Sequence, residues 1–312
     1  MRWQLFWVAV LVACSLRSWA AEPNLGFQPA GDRLFDFNTG VVKGQLRGNG
    51  QYQGISSFVD LKTGKELTRS AGIFSYYRIL SQDKRWGKAA RDWPMTAQLL
   101  PDGAVRIDWI PQEDHPLAMT AIYRWASPTT LDLETLVQPK VEMPKFEVFL
   151  SSYFDLSLQA YPYVQPLRPQ AEKPTFMAAE CSALVKGSYL AFPIDRQSAQ
   201  MFFDRRWAPE HGYVPFSVSR MLEVPMVVKR DDAKTIGILL MSRPGDCFGM
   251  SMSYHLDPPD GIAGHGSIYI SLFGKDLAAG QSARACVRLV IEHSLTDERA
   301  VELYREYVQQ MQ

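Results

Sequence analysis

The chain has 312 residues, 33 Lys and Arg against 33 Asp and Glu, and 46% hydrophobic residues, so its formal net charge is zero. That apolar share separates it from disordered chains, which are poorer in hydrophobics and richer in net charge. The charge balance also removes the basic footprint that nucleic-acid binders need, and no nucleic-acid partner is expected.

In chain order the first element is a targeting segment. MRWQLFWVAVLVACSLRSWAAEP carries Arg2, an apolar run from Leu5 to Ala13, and small residues at Ser18 and Ala20. This is the three-part pattern of a secretory signal peptide over residues 1–20, and the run is too short to span a bilayer. Ser18-Trp19-Ala20 fits a small-x-small cleavage site, while Leu11-Val12-Ala13-Cys14 resembles a bacterial lipoprotein box. A secreted or periplasmic location is expected, with membrane attachment only if Cys14 is lipidated. Cys181, Cys247 and Cys286 stay in the mature chain, either as one disulfide plus a thiol or as three buried thiols.

The rest of the chain reads as strands. MTAQLLPDGAVRIDWI places Pro101-Asp102-Gly103 between two apolar-rich runs, a hairpin in which Pro presets one torsion and Gly supplies positive φ. The same grammar recurs at Lys62-Thr63-Gly64-Lys65, at Ser127-Pro128-Thr129, at Arg230-Asp231-Asp232-Ala233, and at Leu277-Ala278-Ala279-Gly280 between SIYISLF and ARACVRLVIE. Roughly a dozen or more strands without a fixed repeat predict an all-β fold, a large antiparallel sandwich rather than a propeller or solenoid. A C-terminal helix follows: Ser294 or Thr296 caps it, Asp297 and Glu298 fill its first turn, and Ala300, Tyr304, Tyr307, Val308 and Met311 form a stripe that docks on a sheet. The proline-rich stretch YPYVQPLRPQAEKP from Tyr161 to Pro174 reads equally as a boundary or as a surface loop, and one domain over residues 22–312 is expected.

With GQYQGISSFVDLKTGKEL near its start and GSIYISLFGKDLAAGQSARACVRLVIEHS near its end, this strand rhythm resembles the galactose mutarotase-like superfamily. The resemblance implies a twisted β-supersandwich and a carbohydrate partner, in a group of sugar epimerases and domains of glycoside hydrolases and polysaccharide lyases. True epimerases carry their active-site His in an Asn-His-x-x-Phe-like context; no such string occurs here, so no catalytic residue is carried over.

Candidate chemistry then comes from faces and loops. Alternation in FGMSMSYH puts Phe248, Met250, Met252 and Tyr254 on one face and Ser251, Ser253 and His255 on the other. In HGSIYISLF, His265, Ser267, Tyr269 and Ser271 share the polar face. Pairing these runs makes His255 and His265 neighbours, and the next strand adds Arg284, Arg288 and Glu292 in the simplest register. The resulting row is a candidate acid/base site, against the alternative of a solvated outer face. A metal reading of His255, Asp257, Asp260 and His265 competes with turn formation by the same residues. Two loops mix arginine with tryptophan, one with Arg91 beside Trp86 and Trp93, the other with Arg205, Arg206, Trp207 and His211. Indole stacks on pyranose and guanidinium forks onto carboxylate or sulfate, so both suit an acidic glycan; the plainer reading makes the tryptophans loop anchors. Arg124 and Asp132 are expected as cross-strand partners. No Gly-rich phosphate loop, GxSxG, HExxH or CxxC occurs, and no cofactor or metal is expected. The function expected is that of an exported lyase or hydrolase on an acidic polysaccharide, or of a non-catalytic carbohydrate-binding or envelope-associated protein. Proton transfer is assigned to His211, His255, His265 or Tyr269, and glycan contact to Arg91, Trp93, Arg205, Arg206, Trp207 and Arg288.

Overall fold

A computed structural model of the chain describes residues 25–69, 71–208, 214–255 and 260–310. A four-stranded antiparallel meander comes first: β1 (Gln28–Gly31), β2 (Leu34–Asn38), β3 (Val42–Arg47) and β4 (Gly54–Asp60). The chain then shuttles between two larger sheets. β5 (Ser75–Ser81) and β6 (Lys84–Trp86) enter the seven-stranded sheet, and β7 (Met95–Leu99), β8 (Val105–Trp109), β9 (Leu117–Ser127) and β10 (Thr130–Pro139) build one end of the nine-stranded sheet. β11 (Met143–Tyr153) returns to the seven-stranded sheet, and β12 (Gln159–Val164) and β13 (Thr175–Phe176) close the far end of the nine-stranded one. β14 (Tyr189–Pro193), the short helix α1 (Arg196–Gln200) and β15 (Phe216–Val218) follow, with both strands in the seven-stranded sheet. β16 (Leu222–Arg230) and β17 (Ile236–Ser242) join the nine-stranded sheet, β18 (Cys247–Met252) and β19 (Ser267–Leu277) the seven-stranded, β20 (Ala283–His293) the nine-stranded, and α2 (Asp297–Gln310) ends the described chain.

The two larger sheets face each other across one apolar core. Val148 and Leu150 of β11 and Ile268, Ile270 and Leu272 of β19 meet Tyr123 of β9, Leu133 of β10, Leu240 of β17 and Leu289 of β20. This is the all-β sandwich with a C-terminal helix that strand alternation predicts. The hairpins at Pro101-Asp102-Gly103, Ser127-Pro128 and Asp231-Asp232 form as read, joining β7 to β8, β9 to β10 and β16 to β17. Asp132 and Arg124 are Cα partners as expected, but their side chains part: Arg124 pairs with Asp102, and Asp132 with Arg288.

α2 is built from its ends inward. Thr296 Oγ1 accepts from the Arg299 amide at 3.1 Å, and Ala300, Tyr304 and Tyr307 bury one stripe against Met226, Val228, Leu239, Met241 and Val290 on the outer face of the nine-stranded sheet. Gly237 permits the approach, since a Cβ there would lie 2.6 Å from that of Leu295.

Two sequence expectations fail. β19 and β20 do not pair; Gly280 donates to Pro139 O at 2.7 Å, which ties the connection to the end of β10 and delivers β20 between β10 and β17. Arg284, Arg288 and Glu292 therefore sit on a different sheet from β19, the strand that His265 precedes. Phe248 does not share the face of Met250, because a register shift between Cys247 and Gly249 turns it outward onto Ala191, Met201 and Phe202. Cys181, Cys247 and Cys286 are free thiols, with Cys247 and Cys286 buried.

Candidate functional site

The outer face of the seven-stranded sheet is floored by alternate residues of β11, β19 and β18. In its register Tyr269 lies between Ser151 and Ser251, and Tyr153 lies opposite Ser267. The small serines leave the Tyr269 ring room to lie flat, stacked on Phe149 with centroids 4.7 Å apart at 20°. Trp207 and Phe216 pack edge-on against the same Phe149 at 4.7 and 6.2 Å, so the centre of the face is apolar and covered.

Polar groups gather at its margin. The Tyr153 and Tyr269 hydroxyls are 3.5 Å apart, and the Tyr189 ring lies 5.4 Å from that of Tyr269. The His265 ring meets Tyr153 at 5.3 Å and Tyr189 at 5.8 Å, both edge to face. His265 Nδ1 lies 3.0 Å from Ser267 Oγ, and among the described residues its Nε2 has no hydrogen-bond partner. Two left-handed glycines, Gly264 and Gly266 (φ 61° and 72°), present this imidazole. A Cβ on Gly266 would fall 2.4 Å from Phe154 O, so glycine is required there.

Cations stand beside the same groups, Arg69 by His265 and Arg78 and Arg91 by Tyr153. The Arg78 guanidinium lies 3.9 Å over the Tyr77 ring and donates to the Tyr77 hydroxyl at 3.0 Å, while Arg91, on a short 3-10 turn (Ala90–Asp92), lies 5.1 Å from the same ring. Arg69 donates to Gly264 O at 3.4 Å. Burial raises the pKa of Tyr153, Tyr189 and Tyr269, keeping all three as neutral donors. Burial first, then the Arg69 charge, holds His265 below its ordinary value, so the ring is a neutral acceptor at pH 7. Burial, with Arg85 and Arg91 nearby, likewise lowers Arg78, outweighing the opposite pull of Tyr77 and Asp92.

Of the sequence candidates, His265 and Tyr269 converge here, Arg91 stands at the rim, and Trp207 is a covering ring 5% exposed. Arg205 is exposed on the neighbouring turn. His255 lines a small cavity with Gly264 and Gly266, the glycines on either side of His265, but its charged neighbours are Lys229 and Asp232, and its backbone amide donates to Ala179 O at 3.2 Å. Arg206 is withdrawn from ligand contact, buried at 1% exposure with Nη1 on Glu147 at 2.7 Å and Nε on Asp204 at 2.8 Å. Trp93 is a core ring stacked on His115 at 3.8 Å, not a platform, and Trp86 is buried beside it in the same core. Arg288 forks onto Asp132 at 2.6 and 2.8 Å beneath α2, with Tyr307 over its guanidinium. Asp260 builds a turn, accepting from the amides of Gly187, Ile262 and Ala263. Among the described residues no cluster of His, Cys, Asp and Glu could hold a metal. His211 and Asp257 lie outside the described residues. Sequence reasoning missed Tyr153, Tyr189, Tyr77 and Arg78; alternation in FEVFLSSY, which sets Phe149, Ser151 and Tyr153 on one side, was a signal for the first.

No family model matches the sequence, and no curated protein sequence matches it. Among solved structures, an aldose 1-epimerase candidate from Escherichia coli K12 superposes with TM-score 0.51 at 12% identity, covering 84% of this chain and 100% of that one. The Slr1438 protein of Synechocystis sp. PCC 6803 gives 0.51 at 11% identity, covering 86% and 99%. The alpha-N-acetylgalactosaminidase NagBb of Bifidobacterium bifidum gives 0.53 at 14%, covering 88% of this chain and 38% of the longer NagBb chain. At such identities the likeness is one of fold. The chain shares the β-sandwich fold of these structures.

Proposed function

We propose that this β-sandwich binds an acidic polysaccharide at the polar margin of the outer face of its seven-stranded sheet and cleaves it by β-elimination, as an exported lyase. The observation that carries the reading is the convergence of a neutral His265 with the Tyr153, Tyr189 and Tyr269 hydroxyls beside Arg69, Arg78 and Arg91. A guanidinium neutralises the uronate carboxylate, which acidifies the adjacent C–H. The open Nε2 of His265 takes that proton, and a tyrosine hydroxyl protonates the departing glycosidic oxygen as the C=C bond forms. The electron pair of the broken C–H bond becomes the double bond, and that of the C–O bond leaves with the oxygen. Structure neighbours named as an aldose 1-epimerase candidate and an alpha-N-acetylgalactosaminidase support a carbohydrate ligand.

Hydrolysis fits less well, since it needs two available carboxylates. Glu147 and Asp204, which reach this side of the sheet, are both spent on Arg206. A non-catalytic carbohydrate-binding role is the second reading, favoured by the depth of Tyr269, only 4% exposed.

Incubation of the mature chain with acidic and neutral polysaccharides separates these readings. Unsaturated ends from acidic polymers only are expected, at a rate that rises with pH as His265 loses its proton and is level by neutrality. Binding without products establishes the second reading, and new reducing ends without unsaturation establish hydrolysis.

A further inference from the structure

The inner face of β16 holds a lysine where a core side chain belongs. Val227 points into the sandwich core, and Lys229, two residues on, is 3% exposed between Cα partners Ala160 of β12 and Ile238 of β17. Among the described residues its Nζ has no hydrogen-bond or ion-pair partner; it stands 5.8 Å from the Phe154 ring centroid. It adjoins a cavity of about 10 Å³, room for about one water, whose walls include His255, Ser253, Leu156, Gly264 and Gly266. Those glycines are the two that flank His265.

We propose that Lys229 is a proton-controlled positioning residue for the His265 turn: with a neutral amine the turn Asp260–Gly266 packs down on the cavity, and with an ammonium it lifts to admit water. This rests on the functional reading of His265 given above. An ammonium needs acceptors, and beside an aromatic face and one small void the pocket has only Gln159, Ser253, Tyr254 and His255 as polar side chains, none of which is hydrogen-bonded to the amine. The facing groups do not replace them. Asp155 attracts the amine but is held by Lys65 at 3.2 Å, and His255, with Asp232 near it, is itself kept from charging by burial. Tyr254 is bonded to Asp260, Arg69 lies beyond the turn beside His265, and Arg230 points the other way to Asp297. Burial, only partly offset by Asp155, brings the amine down to about 7, so the change of state falls at neutrality.

Hydrogen exchange of the Ile262–Ser267 amides in the full chain, corrected for intrinsic rates, tests this without any glycan. Opening is expected to be about tenfold greater at pH 6 than at pH 8, the ratio set by protonation of one group near 7. Lys229→Met should abolish that difference, and His255→Gln and His265→Gln should keep it. A difference that survives in Lys229→Met, or is absent from the wild type, overturns the proposal. Failure there leaves the glycan reading standing, and absence of glycan turnover leaves the exchange result standing.

Discussion

The two outer faces of the sandwich start from the same kind of sequence and end differently. On the nine-stranded sheet the outward positions of β16 and β17 are Met226, Val228, Leu239 and Met241, and α2 covers them. A buried arginine there, Arg288, is closed by a bidentate carboxylate and by Gln310. On the seven-stranded sheet no long helix is laid down among the described residues; serines alternate with tyrosines, and Arg78 and Arg91 rest on an aromatic ring instead of a carboxylate. A cation that is matched serves stability, whereas cations on a ring beside neutral hydroxyls and an open imidazole remain available to an anion.

Breaking the buried pair on the second face gives the largest expected effect. Arg206→Met leaves Glu147 uncompensated and should cost about 3–5 kcal/mol in denaturant unfolding. Burial already raises the Glu147 pKa, so the loss should shrink as acid protonates it. Lys229→Met is next and opposite in sign. The native amine ionises near 7 and the unfolded one near 10.5, so wild-type stability rises with pH between those values. The substitution should stabilise by a few kcal/mol at pH 7, with the gain gone above the unfolded value. On the helix-covered face, Arg288→Ala should cost about 2 kcal/mol through the freed Asp132 and lost packing under Tyr307, without changing glycan affinity. Thr296→Ala removes one cap and should cost about 1 kcal/mol, read as a small shift of the denaturation midpoint.

The contrast between faces was half visible in the chain. Local turns such as Pro101-Asp102-Gly103 and the capped start of α2 encode their own geometry, so hairpins and helix are legible. The polar side of β19, with His265 and Tyr269, is legible too, because alternation there meets no bulge over Ser267–Leu272. What failed depends on partners distant in sequence. Leu277-Ala278-Ala279-Gly280 has the length of a hairpin turn, and only its tether to Pro139 sends β20 to the other sheet. Arg206 and Trp93 looked like ligands because composition does not reveal Glu147 or His115 across the fold. Tyr189 reaches the site from β14, whose place beside β18 no local pattern announces.

The central claim is that the tyrosine and His265 face, not the helix-covered one, takes the glycan. Titration of an acidic oligosaccharide into the wild type, His265→Gln, Arg78→Met and Arg284→Met compares the faces directly, since Arg284 is a half-exposed arginine paired with Glu134 on the nine-stranded sheet. The account predicts at least about tenfold weaker binding for Arg78→Met and His265→Gln and none for Arg284→Met, consistent with loss of a charge-assisted contact. Unchanged affinity in the first two, or weakening confined to Arg284→Met, would contradict it.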